Sequence, residues 1–212
     1  MRRLLLQLFH PALERSRVGA SLLEAVAELP GLTINDLYER YPDGAIDVPR
    51  EQELLLAHEA IVFQHPLYWY SSPALFKEWQ DLVLEHGFAY GSQGTALQGK
   101  LWLSAISAGG NHTSYTERGS NRYPLRTLLS PFEQTARLCG MRFLPPFVVF
   151  GTHHLDREAL LSPHARAYRQ ALVELQSGDL AWALGPGAPE FWNHREGSRA
   201  APAFLGGGGP AT

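Results

Sequence analysis

Short apolar runs alternate along the chain with longer segments whose apolar residues recur at helical spacing. Arg3 to Phe9 is a short apolar run closed by a loop that begins at His10-Pro11, and it reads as a first strand. Ala20 to Leu29 then places Leu22, Leu23, Val26 and Leu29 on one helical face. Leu32 to Leu37 is a second strand-sized run and Gln52 to Glu59 a short helix. Ala60 to Gln64 (AIVFQ) is continuously apolar, as a strand buried on both faces would be. From Ala74 to Glu85, residues Leu75, Trp79, Leu82 and Val83 form one stripe, with Pro73 where a first helical turn tolerates proline and His86-Gly87 as a stop. Lys100 to Ile106 predicts a fourth strand, Leu125 to Leu138 a helix, Phe143 to Phe150 a fifth strand and Asp156 to Gln176 a last helix. Pro145 and Pro146 inside the fifth run cannot donate to a ladder, so they push it to a sheet edge or shorten it.

Strict alternation of strand and helix requires parallel strands, with the helical crossovers covering both faces. Five such strands make a flavodoxin-like doubly wound sheet of order 2-1-3-4-5 the expected fold, filling residues 1–176. Residues 177–212 change character, being rich in Gly, Pro and Ala and ending GGGGPAT. Such composition predicts a poorly ordered extension, yet Trp182, Phe191, Trp192 and Phe204 are a heavy aromatic load for a linker and could dock on a neighbouring subunit.

At 212 residues and 45% hydrophobic, the chain can bury one sizeable core without staples. Its net charge of −3 gives no basic excess from which to argue a nucleic-acid partner. The single cysteine, Cys139, cannot form an internal disulfide, which suits a reducing compartment; the protein is expected to be cytoplasmic. Cys139 itself, at the end of an apolar helix beside Gly140, reads as a small buried hydrophobe. The opening MRRLLLQLFHP has the start of a signal peptide, but His10-Pro11 cuts it short, and no apolar run reaches membrane-spanning length.

In an open parallel sheet the ligand site lies beyond the carboxyl ends of the strands. Three loops there are chemically unusual. The first, His10 to Gly19, enters a helix N-terminus with the Ser16 hydroxyl and the Arg17 guanidinium, a combination suited to phosphate, although Ser16 could equally cap the helix. The second, His65 to Ser72, carries Pro66, Leu67, Tyr68, Trp69 and Tyr70; three successive aromatics cannot all enter one core, so some should face a planar ligand. The third, Ser107, Ala108, Gly109 and Gly110, lets backbone approach a ligand. Together they fit a phosphate at one end and a flat ring at the other, the shape of a flavin mononucleotide. Tyr115, just past the glycines, could donate a phenolic hydrogen bond to an electron acceptor. The adjacent His153 and His154 read as surface or strand-end histidines, with no metal motif, and Asp43 and Asp47 as turn residues.

Several segments together resemble the NAD(P)H dehydrogenase (quinone) flavoproteins, and among them the ancillary subunits of glutathione-regulated potassium-efflux systems. The resemblance rests on HP…S from residue 10, YPDGAID, the long HPLYWYSSPALFKEWQDLVLEHGFAYGSQGTALQGK, the SAGG turn and LPPF, and covers residues 3–176. It implies a homodimer that takes hydride from NAD(P)H onto FMN, with FAD the less favoured flavin, and passes two electrons to a quinone by a ping-pong route. It further implies a regulatory tie to a potassium-efflux transporter, and hence a place at the inner face of the membrane. His10, Ser16 and Arg17 would hold the phosphate. Pro66, Leu67, Tyr68, Trp69 and Tyr70 would meet the isoalloxazine, Ser107 to Gly110 its other edge, and Tyr115 the nicotinamide or quinone. The chain departs from the pattern where relatives carry a histidine after that tyrosine: here the segment reads TERGSN.

Overall fold

A computed structural model of the chain describes residues 1–155 and 158–194. Strands β1 (Leu4–Leu8), β2 (Leu32–Asp36), β3 (Ala60–Pro66) and β4 (Leu101–Ser107) are all parallel and lie in the order β2-β1-β3-β4. Leu4 stands opposite Leu32 on one side and Ala60 on the other, and Ala60 opposite Leu101. The fifth position is filled by two short pieces, β5 (Arg142–Phe143) and β6 (Phe147–Val149), both paired in parallel with β4. This is the expected 2-1-3-4-5 sheet. The outermost strand is broken because Pro145 and Pro146 interrupt the ladder between its halves.

The helices are α1 (Arg17–Val26), the single turn α2 (Leu37–Arg40), α3 (Val48–Ala57), α4 (Ala74–Val83), α5 (Leu125–Leu128) and α6 (Ser130–Leu138) between strands, and α7 (Glu158–Ser177) and α8 (Ala181–Leu184) after the last strand. Helix α1 starts at Arg17 rather than Ala20 because the Ser16 side chain accepts the Gly19 amide at 3.0 Å, capping the first turn. Asp47 does the same for α3 through the Arg50 amide, and Asp43 closes a turn through the Ala45 amide. The predicted helix 125–138 is divided in two; Pro131 falls in the first turn of α6, the position proline tolerates. Of the predicted last helix, Asp156 lies outside the described residues.

One face of the sheet carries an aromatic core under α3, α4 and α6, where Phe9, Phe63 and Trp102 meet Phe76 and Trp79. The other packs Leu22 and Val26 of α1 against Tyr168, Leu172 and Leu175 of α7. A polar group stands inside the first face. Glu51 is fully buried, and its carboxylate accepts from Gln7 Nε2 (2.9 Å), Asn35 Nδ2 (3.0 Å), the Tyr41 hydroxyl (2.8 Å), Trp79 Nε1 (3.0 Å) and Arg50 (2.6 Å). That carboxylate ties β1, β2, α3 and α4 together, which explains a glutamine and an asparagine inside otherwise apolar strands.

Beyond α7 the chain turns back onto its own domain. Trp192 donates its amide to Pro146 O at 2.9 Å, and the Asn193 side chain both accepts from Val148 N (3.1 Å) and donates to Val148 O (2.9 Å). Phe191 and Trp192 are buried, and Trp182 packs edge-on against Trp192. These three aromatics therefore dock on this chain itself, which corrects the poorly ordered extension that composition predicts for this stretch, with a neighbouring subunit as the alternative; Phe204 lies outside the described residues. No helix among the described residues is long and apolar enough to cross a membrane.

Candidate functional site

At the carboxyl ends of β1, β3 and β4 the loops enclose a cleft of about 900 Å³. It is lined by His10, Ser16, Arg17, Pro66, Leu67, Tyr68, Trp69, Tyr70, Ser107, Gly109, Gly110 and Tyr115, so the structure brings together all but one of the residues singled out from sequence. The exception is Ala108. Its side chain is fully buried in the aromatic core and its amide donates to Val149 O at 2.8 Å, so neither reaches the cleft.

Loop one builds a polar end. Ser16 caps α1, as the alternative reading allowed, and its hydroxyl still lines the cleft. Gly19 permits this arrangement, because a Cβ there would lie 2.8 Å from Ser16 Oγ and 3.4 Å from the His10 ring. His10 Nδ1 accepts the Ala12 amide at 3.2 Å, which leaves Nε2 to carry the proton of the neutral ring. Burial lowers the His10 pKa, outweighing the nearby carboxylates of Glu14 and Asp36. Arg15 lies beside Ser16 and lines the same end. Hydroxyl, imidazole N–H, two guanidinium-bearing residues and a helix N-terminus form a donor set that fits a phosphate monoester, so the chemistry of this end suits the phosphate of FMN.

Loop two builds the aromatic end. Tyr68 and Ser71 are bridged, with the Ser71 amide donating to Tyr68 O at 2.9 Å, and the two residues between them have φ of +48° (Trp69) and +64° (Tyr70). Two consecutive positive φ values define a turn that ordinarily takes Asn-Gly, so bulky aromatics hold it at a cost. Trp69 is 92% exposed and Tyr68 and Tyr70 are exposed as well. Strain and exposed apolar surface coincide at the cleft, where ordinary folding energetics explain neither.

Loop three is held from two sides. A Cβ on Gly109 would come within 2.5 Å of His153 Nε2, and one on Gly110 within 3.1 Å of the Tyr115 ring. The two glycines thus make room for an imidazole and a phenol, both lining the cleft. Tyr115 is largely buried, and that burial raises its pKa, so the phenol keeps its proton. His153 sits on a 3-10 turn, Thr152–His154, directly after β6. Sequence reasoning read it as a surface or strand-end histidine and missed the cleft; its nearness to the Gly-Gly turn is a product of two loops distant in sequence. Arg15 was missed too, although the flanking of Ser16 by two arginines was a visible signal. Cys139 takes no part: it is buried and its thiol is pushed up to about 11 by that burial.

A model of the flavodoxin-like fold matches residues 2–172. The chain belongs to this flavodoxin-like family. Among its relatives is the glutathione-regulated potassium-efflux system ancillary protein KefG of Enterobacter sp. (strain 638), 46% identical over 171 residues, which is 81% of this chain and 93% of that protein. The solved structure of general stress protein 14 from Treponema denticola, in complex with FMN, is 38% identical with a TM-score of 0.78 and covers 82% of this chain and 99% of that one. An NADPH-quinone reductase structure from P. pentosaceus is 32% identical with a TM-score of 0.72, covering 79% and 96%. The resemblance to quinone-reducing flavoproteins and their potassium-efflux branch, read from the YPDGAID, HPLYWYSS and SAGG segments, is borne out within the family.

Proposed function

We infer that the chain is an NAD(P)H:quinone oxidoreductase that holds FMN in the cleft and passes two electrons from NAD(P)H to a quinone by a ping-pong route. The observation that carries this reading is the cleft's division, with phosphate-binding chemistry at the N-terminus of α1 and exposed aromatics on a strained turn at the other end. Membership of the family and the likeness to an FMN complex and to an NADPH-quinone reductase support it.

In this reading Ser16, Arg17 and the neutral His10 N–H hold the phosphate, with Arg15 beside them. Tyr68, Trp69 and Tyr70 offer planar surface to the ring, and the turn geometry fixes where that surface lies. The Gly109 amide has no partner among the described residues and is left to donate to a ligand oxygen. Tyr115 keeps its proton and donates to an oxygen of the acceptor, and the His153 ring stands beside Gly109 on the same turn. When bound, FMN supplies the hydride chemistry itself. The cleft opens to solvent, so NAD(P)H and quinone can use one face in succession. A homodimer is part of this proposal, since Trp69 projects almost wholly into solvent and a second copy would cover it.

The test is the visible spectrum of desalted protein after FMN loading, before and after anaerobic NAD(P)H. Bleaching of a retained flavin band, reversed by a quinone, is the expected result. A retained band that no pyridine nucleotide bleaches refutes the enzyme reading. The likeness to KefG favours a second reading, in which the protein binds and activates a potassium-efflux transporter and the flavin serves as a sensor. Co-purification with such a transporter, with no turnover, would select it.

A further inference from the structure

We propose that the segment 178–194, which lies beyond the part of the chain matched by the family model, is a working part of the site, and that Phe191 positions the loop carrying Tyr115. Phe191 is 1% exposed and closes a triangle of rings with His112 (5.8 Å between centroids) and Phe150 (5.5 Å); His112 and Phe150 are themselves 5.1 Å apart. Phe150 in turn meets the Tyr115 ring at 5.9 Å. His112 opens the 3-10 turn whose carbonyl accepts the Tyr115 amide at 3.1 Å, so both ends of that turn are reached from Phe191 through one layer of side chains.

The position of Phe191 is itself fixed. On its C-terminal side the Trp192 amide bonds Pro146 O and the Asn193 side chain bonds both polar atoms of Val148. On its N-terminal side Leu180 and Ala183 are buried in the core beneath α7. The segment is therefore anchored at both ends of the ring that presses on the loop. Backbone bonds among the described residues that join the base of the loop to the turn after β6 are Gly151 N to Gly110 O at 2.9 Å and Thr152 N to Ala108 O at 3.2 Å, and Tyr115 is buried in the core. Because the ring layer joins both ends of the 3-10 turn, removing one ring from it should lower the order of the loop.

Phe191 acts through Phe150 and His112 and touches no reactant, so it is a positioning residue. Its effect on turnover rests on the reading that Tyr115 serves the electron acceptor; its effect on loop order does not. The experiment therefore takes both readouts on FMN-loaded full-length Phe191→Ala, with Phe191→Leu as the conservative variant and Val26→Ala, in the core between α1 and α7, as a destabilised control. Hydrogen exchange of residues 109–119 is expected to quicken about ten-fold in Phe191→Ala, to recover mostly in Phe191→Leu and to stay unchanged in Val26→Ala. The KM for a benzoquinone acceptor is expected to rise about five-fold with FMN affinity held within about two-fold, because the phosphate end lies across the cleft. If Phe191→Ala does not fold, Asn193→Ala releases the same segment and should give the same pattern at smaller size. Unchanged exchange of 109–119 in a folded variant overturns the inference. Faster exchange with unchanged quinone kinetics supports it and overturns the role given to Tyr115.

Discussion

Glu51 gives the sharpest test of how this fold is held. In Glu51→Ala, Gln7 Nε2, Trp79 Nε1 and the Tyr41 hydroxyl lose the acceptor they donate to within a buried site, while Asn35 keeps a bond to Gln7 Oε1 at 2.7 Å. Leaving a buried donor unmade costs about 1–3 kcal/mol, so the three orphaned donors alone give roughly 6 kcal/mol. Arg50, partly buried and paired to Glu51 at 2.6 Å, adds an uncompensated charge. For a chain of this length about 1 kcal/mol moves the melting midpoint by roughly 2–4 °C, so the expected fall is about 12–24 °C. Glu51→Gln keeps the volume and one acceptor but aims an NH₂ at surrounding donors, and should fall by about half as much. The assay is thermal melting followed by circular dichroism on flavin-free protein at one fixed pH, so that ligand linkage does not mask the change. A drop under about 3 °C for Glu51→Ala would refute the view that this carboxylate is the acceptor on which the network depends.

Three further outcomes follow from the geometry. His65 is fully buried, and burial lowers its pKa from 6.5 to about 4, so the unfolded chain binds more protons between those values; stability should fall by up to about 3 kcal/mol as pH drops from about 6.5 to 4, and a His65→Phe variant should show a flatter urea midpoint across that window than the wild type. Trp69→Gly removes a positive-φ penalty of about 1–2 kcal/mol while giving up almost no burial, so its melting midpoint should hold or rise slightly as FMN affinity falls about ten-fold; a loss above about 5 °C would mean the ring packs on the protein. The Cys139 thiol, buried and raised to about 11, should be inert to a disulfide reagent in the native state and react only at the rate of unfolding, which fast stoichiometric labelling at neutral pH would disprove.

The fold was legible because its signals are local: each strand is an apolar run and each crossover shows a stripe, so topology followed from alternation. Boundaries were misplaced where a single polar atom decides them, as at Ser16, whose cap starts α1 three residues early. The site was legible at loops one and two, where residue types crowd against expectation. It was illegible at His153 and Phe191, because the contacts that matter there join segments about forty residues or more from Gly109 and His112. Glu51 could not be read at all: a glutamate in a polar stretch gives no sign that two strands have each reserved a polar residue for it. Ala108 was misread for the opposite reason. Its neighbours Ser107 and Gly109 face the cleft, and the alternation of the strand turns the residue between them inward.

The pairing of Asn193 with Val148 has an effect on how copies of the protein can associate. A side-chain amide occupies the outward N–H and C=O of the last strand, while the Pro145-Pro146 break removes donors just before it. Fibre growth by strand addition needs two open edges on each molecule, one to receive and one to offer. Here the β6 stretch of one edge is closed. A strand arriving along β6 would first have to displace the Asn193 amide, so edge-to-edge growth is opposed at that stretch of the sheet.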